Sequence, residues 1–192
     1  MIVEADEVET DKPQERDPEA EARRRLALGQ IRQYPDPVLR MRAREVEDFD
    51  GDLRRLAERM TQLMRDANGV GLAATQVGII RRVFVFQPDS DADPVAVVNP
   101  TLADRPDETA LEDEGCLSLI GVQMPVERAR SVRLEGRDLE GKELSIELTD
   151  HAARVVQHEL DHLDGVLILD RTTDEARKAA LAHLRPKAVL TQ

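Results

Sequence analysis

Aromatic side chains are nearly absent from this chain. Its 192 residues include no Trp, one Tyr and three Phe, so any core must be aliphatic, built from Leu, Val, Ile, Ala and Met. Cysteine is limited to Cys116, which excludes an internal disulfide framework and leaves one thiol free to act as a ligand or nucleophile. A lone cysteine is otherwise most often a small buried hydrophobe. No run of 18 or more apolar residues occurs, which excludes an apolar membrane-spanning helix. Positive charge is also in deficit, with 27 Lys and Arg against 39 Asp and Glu, a net charge of −12. Residues 1–22 hold nine acids against Lys12 and Arg16, so over half of that excess lies in the first segment. A mildly acidic body with an acidic leader is a poor candidate for direct nucleic-acid binding. The opening residues show neither the apolar stretch of a secretory signal nor the Arg-rich character of a transit peptide. A cytoplasmic protein without membrane association is expected.

What is present suffices for one well-buried domain: 41% of the residues are hydrophobic. Residues 1–27 read as an acidic extension without regular structure, at best a loose helix from Glu19 onward, and residues 28–192 as a single catalytic domain. Leu53, Leu56, Met60, Leu63 and Ala67 recur at helical spacing, with Asn68-Gly69 ending the helix through a left-handed glycine. Val83–Phe86 and Val95–Val98 read as buried strands, the second stopped by Asn99-Pro100. Ser131–Glu135 and Leu144–Leu148 alternate around the turn 138–141 and predict a hairpin. Asp150 is positioned to cap a helix to about Leu163, closed by Gly165. Val166–Leu169 suggests a short strand, and Thr173-Asp174-Glu175 opens a final helix that should stop before Pro186. The expected fold is α+β: antiparallel strands around a central histidine-bearing helix, with one helix in the N-terminal half and another at the C-terminus.

Within the helix following Asp150 lies His158-Glu159-Leu160-Asp161-His162. Histidines four apart on a helix face the same way and can share one metal ion, while the glutamate beside them can move a proton. A solvent-facing or core-satisfied histidine pair is the plain alternative, but the added Glu at this register favours a metal site. Two histidines leave a tetrahedral ion one protein ligand short. Cys116 is the natural third, in the polar loop Glu114-Gly115-Cys116-Leu117-Ser118, and would bind as thiolate. In Gly69-Val70-Gly71-Leu72-Ala73-Ala74-Thr75-Gln76 the small residues allow backbone to approach a ligand. The Gln76 amide could then donate to a developing oxyanion.

Taken in order, Gly69–Gln76, Glu114–Ser118 and Gln157–His162 resemble the three signature motifs of peptide deformylases. The flanking Tyr34–Leu39, Val98-Asn99-Pro100 and Gly165–Asp170 extend the resemblance over about Leu28 to Thr172. It implies an enzyme that removes the N-formyl group from the initiator methionine of newly synthesised peptides and releases formate, with nascent chains at the ribosome as partners. By the same resemblance Cys116, His158 and His162 hold one divalent metal, commonly Fe²⁺, with Zn²⁺, Ni²⁺ or Co²⁺ also used. A water on that metal would attack the formyl carbon, with Glu159 as general acid/base. Gln76 and the Leu117 N–H would form the oxyanion hole, and the Val70 and Gly71 backbone would line the peptide cleft.

The chain departs from the family pattern in its long acidic N-terminus and at two places beside the motifs. Leu119-Ile120 stands where a hydrophobic residue and proline usually follow the cysteine motif. His151 stands where an apolar or aromatic residue is usual. On the helix, His151, Val155, His158 and His162 form one stripe, so His151 and Val155 are expected in or at the rim of the methionine pocket. Two further readings remain. One is a zinc protease of the His-Glu-x-x-His type, although no downstream ligand stands at a recognised spacing and Cys116 would be unused. The other is a closed structural metal site, or an inactive relative that binds peptide N-termini.

Overall fold

The computed structural model describes residues 17–89, 91–104 and 107–185. In chain order it contains α1 (Pro18–Leu28), α2 (Gly51–Asp66), β1 (Gly71–Ala73), β2 (Val83–Phe86), β3 (Val95–Ala103), β4 (Thr109–Gly115), β5 (Gln123–Ala129), β6 (Ser131–Arg137), β7 (Glu143–Thr149), α3 (Asp150–Leu163) and α4 (Asp174–Leu184). Five strands form one antiparallel sheet in the order β1-β2-β3-β6-β7, while β4 and β5 pair separately as a ribbon. The architecture is α+β, with no parallel strand pairing among the named strands.

Strand periodicity divides the apolar residues between two layers. On β2, Val83 and Val85 join the core beneath α2, whereas Phe84 and Phe86 join the core beneath α3. Leu72 and Val98 face the first layer, Ala73 and Val97 the second. The sheet is thus packed on one face by α2 and on the other by the histidine-bearing α3, where all residues from Ala153 to Leu163 are buried. A third cluster, including Leu39, Met124, Val126, Leu169 and Ala180, joins the ribbon to α4 and the strands of chain around it.

Asp50 caps α2 by accepting from the Leu53 N–H at 3.0 Å. Such a cap contributes about 1 kcal/mol. Each apolar side chain buried on that helix contributes about 1.5–3 kcal/mol, so the buried face with Leu53, Ala57, Met60, Leu63 and Met64 dominates.

Several expectations are corrected. The acidic extension is helical from Pro18, with Ala27 buried in the α2 core; its residues 1–16 lie outside the described residues. Asn68, not Gly69, takes the left-handed conformation after α2 (φ 57°), while Gly69 is kept small by Leu117, whose Cδ1 would lie 2.7 Å from an added Cβ. Asn99-Pro100 does not stop β3. The strand runs on to Ala103 through an irregularity between Val98 and Thr101, the type of position where a sheet tolerates proline. The Asn99 side chain anchors it by bonding the Val46 backbone N–H at 2.8 Å and C=O at 2.9 Å. Val166–Leu169 forms no strand; a 3-10 turn occupies Ile168–Asp170, closed by the Asp170 carboxylate accepting from the Leu167 N–H. Thr149, not Asp150, holds the N-cap position of α3. Residues Thr109–Gly115, read partly as a loop, form β4, paired along its length with β5.

Candidate functional site

On α3, His158 and His162 stand one turn apart with ring centroids 4.9 Å from one another. Cys116 follows the end of β4 and brings its Sγ to 3.2 Å from His162 Nε2. Donor atoms of Cys116, His158 and His162 all lie within 4.8 Å of each other. One sulfur and two imidazole nitrogens at this spacing fit a single Zn²⁺- or Fe²⁺-type ion. The Glu114 carboxylate lies 3.0 Å from His158 Nδ1, which leaves the other ring nitrogen for such an ion.

Glu114 belongs to the cysteine motif, but no local pattern in the sequence discloses its role. Its two oxygens receive Arg128 Nε at 2.9 Å, Arg128 Nη2 at 3.0 Å, Arg154 Nη1 at 2.8 Å and the His158 ring. Four partners fill the four lone-pair sites of a carboxylate. Burial raises the Glu114 carboxyl, but the bonds from His158 and Arg128 outweigh it and hold the group down to about 2. Arg128 continues to Asp161 at 2.6 Å, and Arg171 bonds the same carboxylate at 2.7 Å. Arg154 also reaches the Ala110 and Val126 carbonyls, both at 2.8 Å. An ionic lattice therefore ties β4, β5 and α3 together beneath the ligand set. A signal for it exists: Met124, Val126 and Arg128 share the inward phase of β5, so a charge occupies an apolar slot. Pro125 and the flanking charges concealed that strand.

Glu159 is 4% exposed, and its Oε2 is buried without a hydrogen-bond partner among the described residues. Burial pushes its carboxyl up to about 7. Gly71, on the edge strand β1, permits this placement: a Cβ there would lie 2.7 Å from Glu159 Cδ. Gln76 sits in the 3-10 turn Ala74–Val77 that follows β1. Its Oε1 accepts from the Ala73 N–H at 2.8 Å. That bond aims its amide nitrogen toward Ser118 Oγ at 3.1 Å and Cys116 Sγ at 3.8 Å. The Leu117 carbonyl is fixed by Gln33 Nε2 at 2.8 Å, a support that the sequence did not disclose.

These groups open on a cavity of about 730 Å³. Val70, Gly71, Gln76, Cys116, Leu117, Val155, His158 and Glu159 all line it, with His151 on its exposed part and His162 buried behind Cys116. All ten residues singled out from the sequence thus gather in one place. Ile120 also borders the cavity and is exposed, while the preceding Leu119 is buried in the third core cluster.

Residues 28–178 match the family described as polypeptide deformylase. The chain belongs to the peptide deformylase family. The peptide deformylase of Acidothermus cellulolyticus is 46% identical over 160 residues, 83% of this chain and 87% of the relative. That of Desulforudis audaxviator is 43% identical over 148 residues, covering 77% and 96%. Among solved structures, the Thermotoga maritima peptide deformylase superposes with a TM-score of 0.72 at 45% identity, covering 74% of this chain and 96% of that one. Arabidopsis thaliana peptide deformylase 1B, solved with an inhibitor, gives a TM-score of 0.77 at 38% identity, covering 81% and 89%. The family match begins at Leu28, so all of α1 except its last residue precedes it.

Proposed function

We propose that this protein hydrolyses the formyl amide at the N-terminal methionine of newly made peptides, releasing formate, and that residues 28–192 form its single catalytic domain. The observation that carries this reading is the convergence of Cys116, His158, Glu159 and Gln76 on one cavity, with His162 in contact with Cys116 behind them, in a chain of this family. Cys116, His158 and His162 would hold one divalent ion, Fe²⁺ by family resemblance, with Zn²⁺, Ni²⁺ or Co²⁺ able to replace it. Such an ion is a Lewis acid able to lower the pKa of a water to about 7.

The chain's own groups account for the remaining steps. The free Oε2 of Glu159 accepts the proton of the attacking water and then delivers it to the departing amine. The Gln76 amide, held by the Ala73 N–H, and the Leu117 N–H donate to the oxygen of the formyl group as it gains charge, each worth about 3 kcal/mol. The substrate backbone runs beside Val70 and Gly71 on the edge of β1, and the methionine side chain lies toward Val155, with His151 at the rim. A formyl carbon bears only hydrogen beside its carbonyl, so a tight site admits it and excludes larger acyl groups. The protein would act in the cytoplasm on nascent chains; among the described residues no helix is long and apolar enough to cross a membrane.

Anaerobically purified, Fe²⁺-loaded protein should release formate from formyl-Met-Ala-Ser and leave casein and acetyl-Met peptides intact. Cleavage of casein alone would reverse the assignment. Glu159→Ala should retain the ion but lose about 10²–10⁴ in turnover, while Cys116→Ala loses ion and activity together. Normal turnover by Glu159→Ala would end the proton-transfer role.

A further inference from the structure

Part of the cavity is bounded by residues outside the span 28–178 that the family model matches. Arg24 and Leu28, one turn apart on α1, line the same cavity as Cys116 and Glu159, although Arg24 precedes the span matched by the family. The placement is built into the fold: Ala27 is buried among the α2 residues, and Leu28 packs against the same cluster as Leu117. On the motif side, Asn68, Gly69 and Val70 continue the lining from the catalytic groups. The Arg24 side chain is 37% exposed, and its ion pair to Glu21, itself 52% exposed, spans 4.0 Å. A contact that long between exposed groups holds the guanidinium weakly. On the β4 side the cavity is acidic, with Glu112 drawn to Arg154 at 3.2 Å and Asp113 exposed. Arg154 also lines that side and offsets Glu112, so Arg24 is the cation of the α1 side and faces the exposed Asp113.

We infer that α1 extends the substrate cleft and that Arg24 is a specificity residue, favouring formylated peptides that carry a carboxylate beyond the methionine. An Asp or Glu side chain and the terminus of a short peptide are the two sources of that carboxylate; both offer the same anion to a guanidinium. The inference rests on the deformylase reading, but its test separates the two. The peptides are formyl-Met-Ala-Ser-amide, its Glu and Lys counterparts at the second to fourth positions, also amidated, and formyl-Met-Ala-Ser with a free terminus. They are assayed with wild type, Arg24→Gln and Arg24→Glu in low and high salt.

For wild type, KM should favour Glu over Lys by about two- to fivefold at low salt, with kcat unchanged and the preference shrinking as salt rises. The ratio should fall to about one in Arg24→Gln and invert in Arg24→Glu. Turnover of the neutral amide should be the same in all three proteins, which also reports that the variants are folded. A response confined to the free-terminus peptide would identify the terminus as the anion recognised. A wild-type enzyme indifferent to every added charge, the free terminus included, or a charge preference unmoved by either substitution, overturns the role of Arg24. Absence of formate from the neutral amide with wild type overturns the deformylase reading instead.

Discussion

At Gly71 the lack of a side chain is what lets Glu159 lie against the edge of β1. An alanine methyl would meet the Glu159 carboxyl group at 2.7 Å from Cδ, and the glutamate, buried within α3, has little room to retreat. Overpacking of this kind costs about 1–3 kcal/mol. Gly71→Ala should therefore leave a folded protein, with thermal denaturation showing a modest loss, while formate release falls at least about 10²-fold through displacement of Glu159, the proposed acid/base. Turnover equal to wild type would show that Glu159 does not need its present position. Gln76 carries a related lesson: its amide can donate into the site because the Ala73 N–H occupies its other end. That distinction depends on a backbone bond three residues away, not on the presence of glutamine alone.

Among the elements, the β4–β5 ribbon is joined to α3 by charge as much as by apolar contact. Arg128 stands between two buried carboxylates, Glu114 and Asp161, which also bond Arg154 and Arg171 respectively. Removing one member of a buried ionic set costs more than the set contributes, because its partners stay buried with less compensation. Arg128→Met should destabilise the fold by about 3–5 kcal/mol in urea or guanidinium titration. It should also weaken metal retention by about 10–100-fold, since Glu114 orients His158. Unchanged stability together with unchanged metal affinity would contradict this view of the lattice. The cap of α2 provides a smaller, local comparison. Asp50→Ala should cost about 1 kcal/mol with no change in KM, and a shift in KM would indicate that α2 is coupled to the cleft.

For the whole molecule, distant parts of the chain are closed on each other by Arg40 and Asp170, which form an ion pair across 130 positions. Burial raises the Asp170 carboxyl, but the Arg40 guanidinium and the Leu167 N–H outweigh it, leaving the group below its usual range. A depressed carboxyl contributes its stability in full above the unfolded value near ~3.9 and loses it as pH falls through the lower folded value. Wild type should thus exceed Asp170→Asn at pH 7, with the difference closing as the solution is acidified below about pH 4. Both carboxyl and guanidinium are about two-fifths exposed, so the gap at neutral pH should not exceed about 1 kcal/mol from the pair itself. Denaturant midpoints across pH measure it, and a pH-independent difference would show that the carboxylate acts only as a shape.

Sequence by itself determined the amphipathic α2, the β6–β7 hairpin, and α3 with His158 and His162 one turn apart, because each is written in local periodicity or in a motif whose spacing fixes geometry on a helix. It also brought out Glu159, Gln76, Val70, Gly71, Val155 and His151, all of which the fold collects around one cavity. Tertiary structure alone decided what surrounds them. The Asn99-Pro100 pair looked like a stop, yet side-chain bonds to Val46 carry β3 past it. The β5 strand was hidden because its inward charge, Arg128, is tolerable only where Glu114 and Asp161 meet it from other elements. Charge in the acidic leader suggested at best a loose helix from Glu19 onward; burial of Ala27 on α2 stabilises that helix over Pro18–Leu28 and brings Arg24 to the cleft, while residues 1–16 lie outside the described residues. In each case the deciding energy comes from partners distant in sequence, which no local pattern encodes.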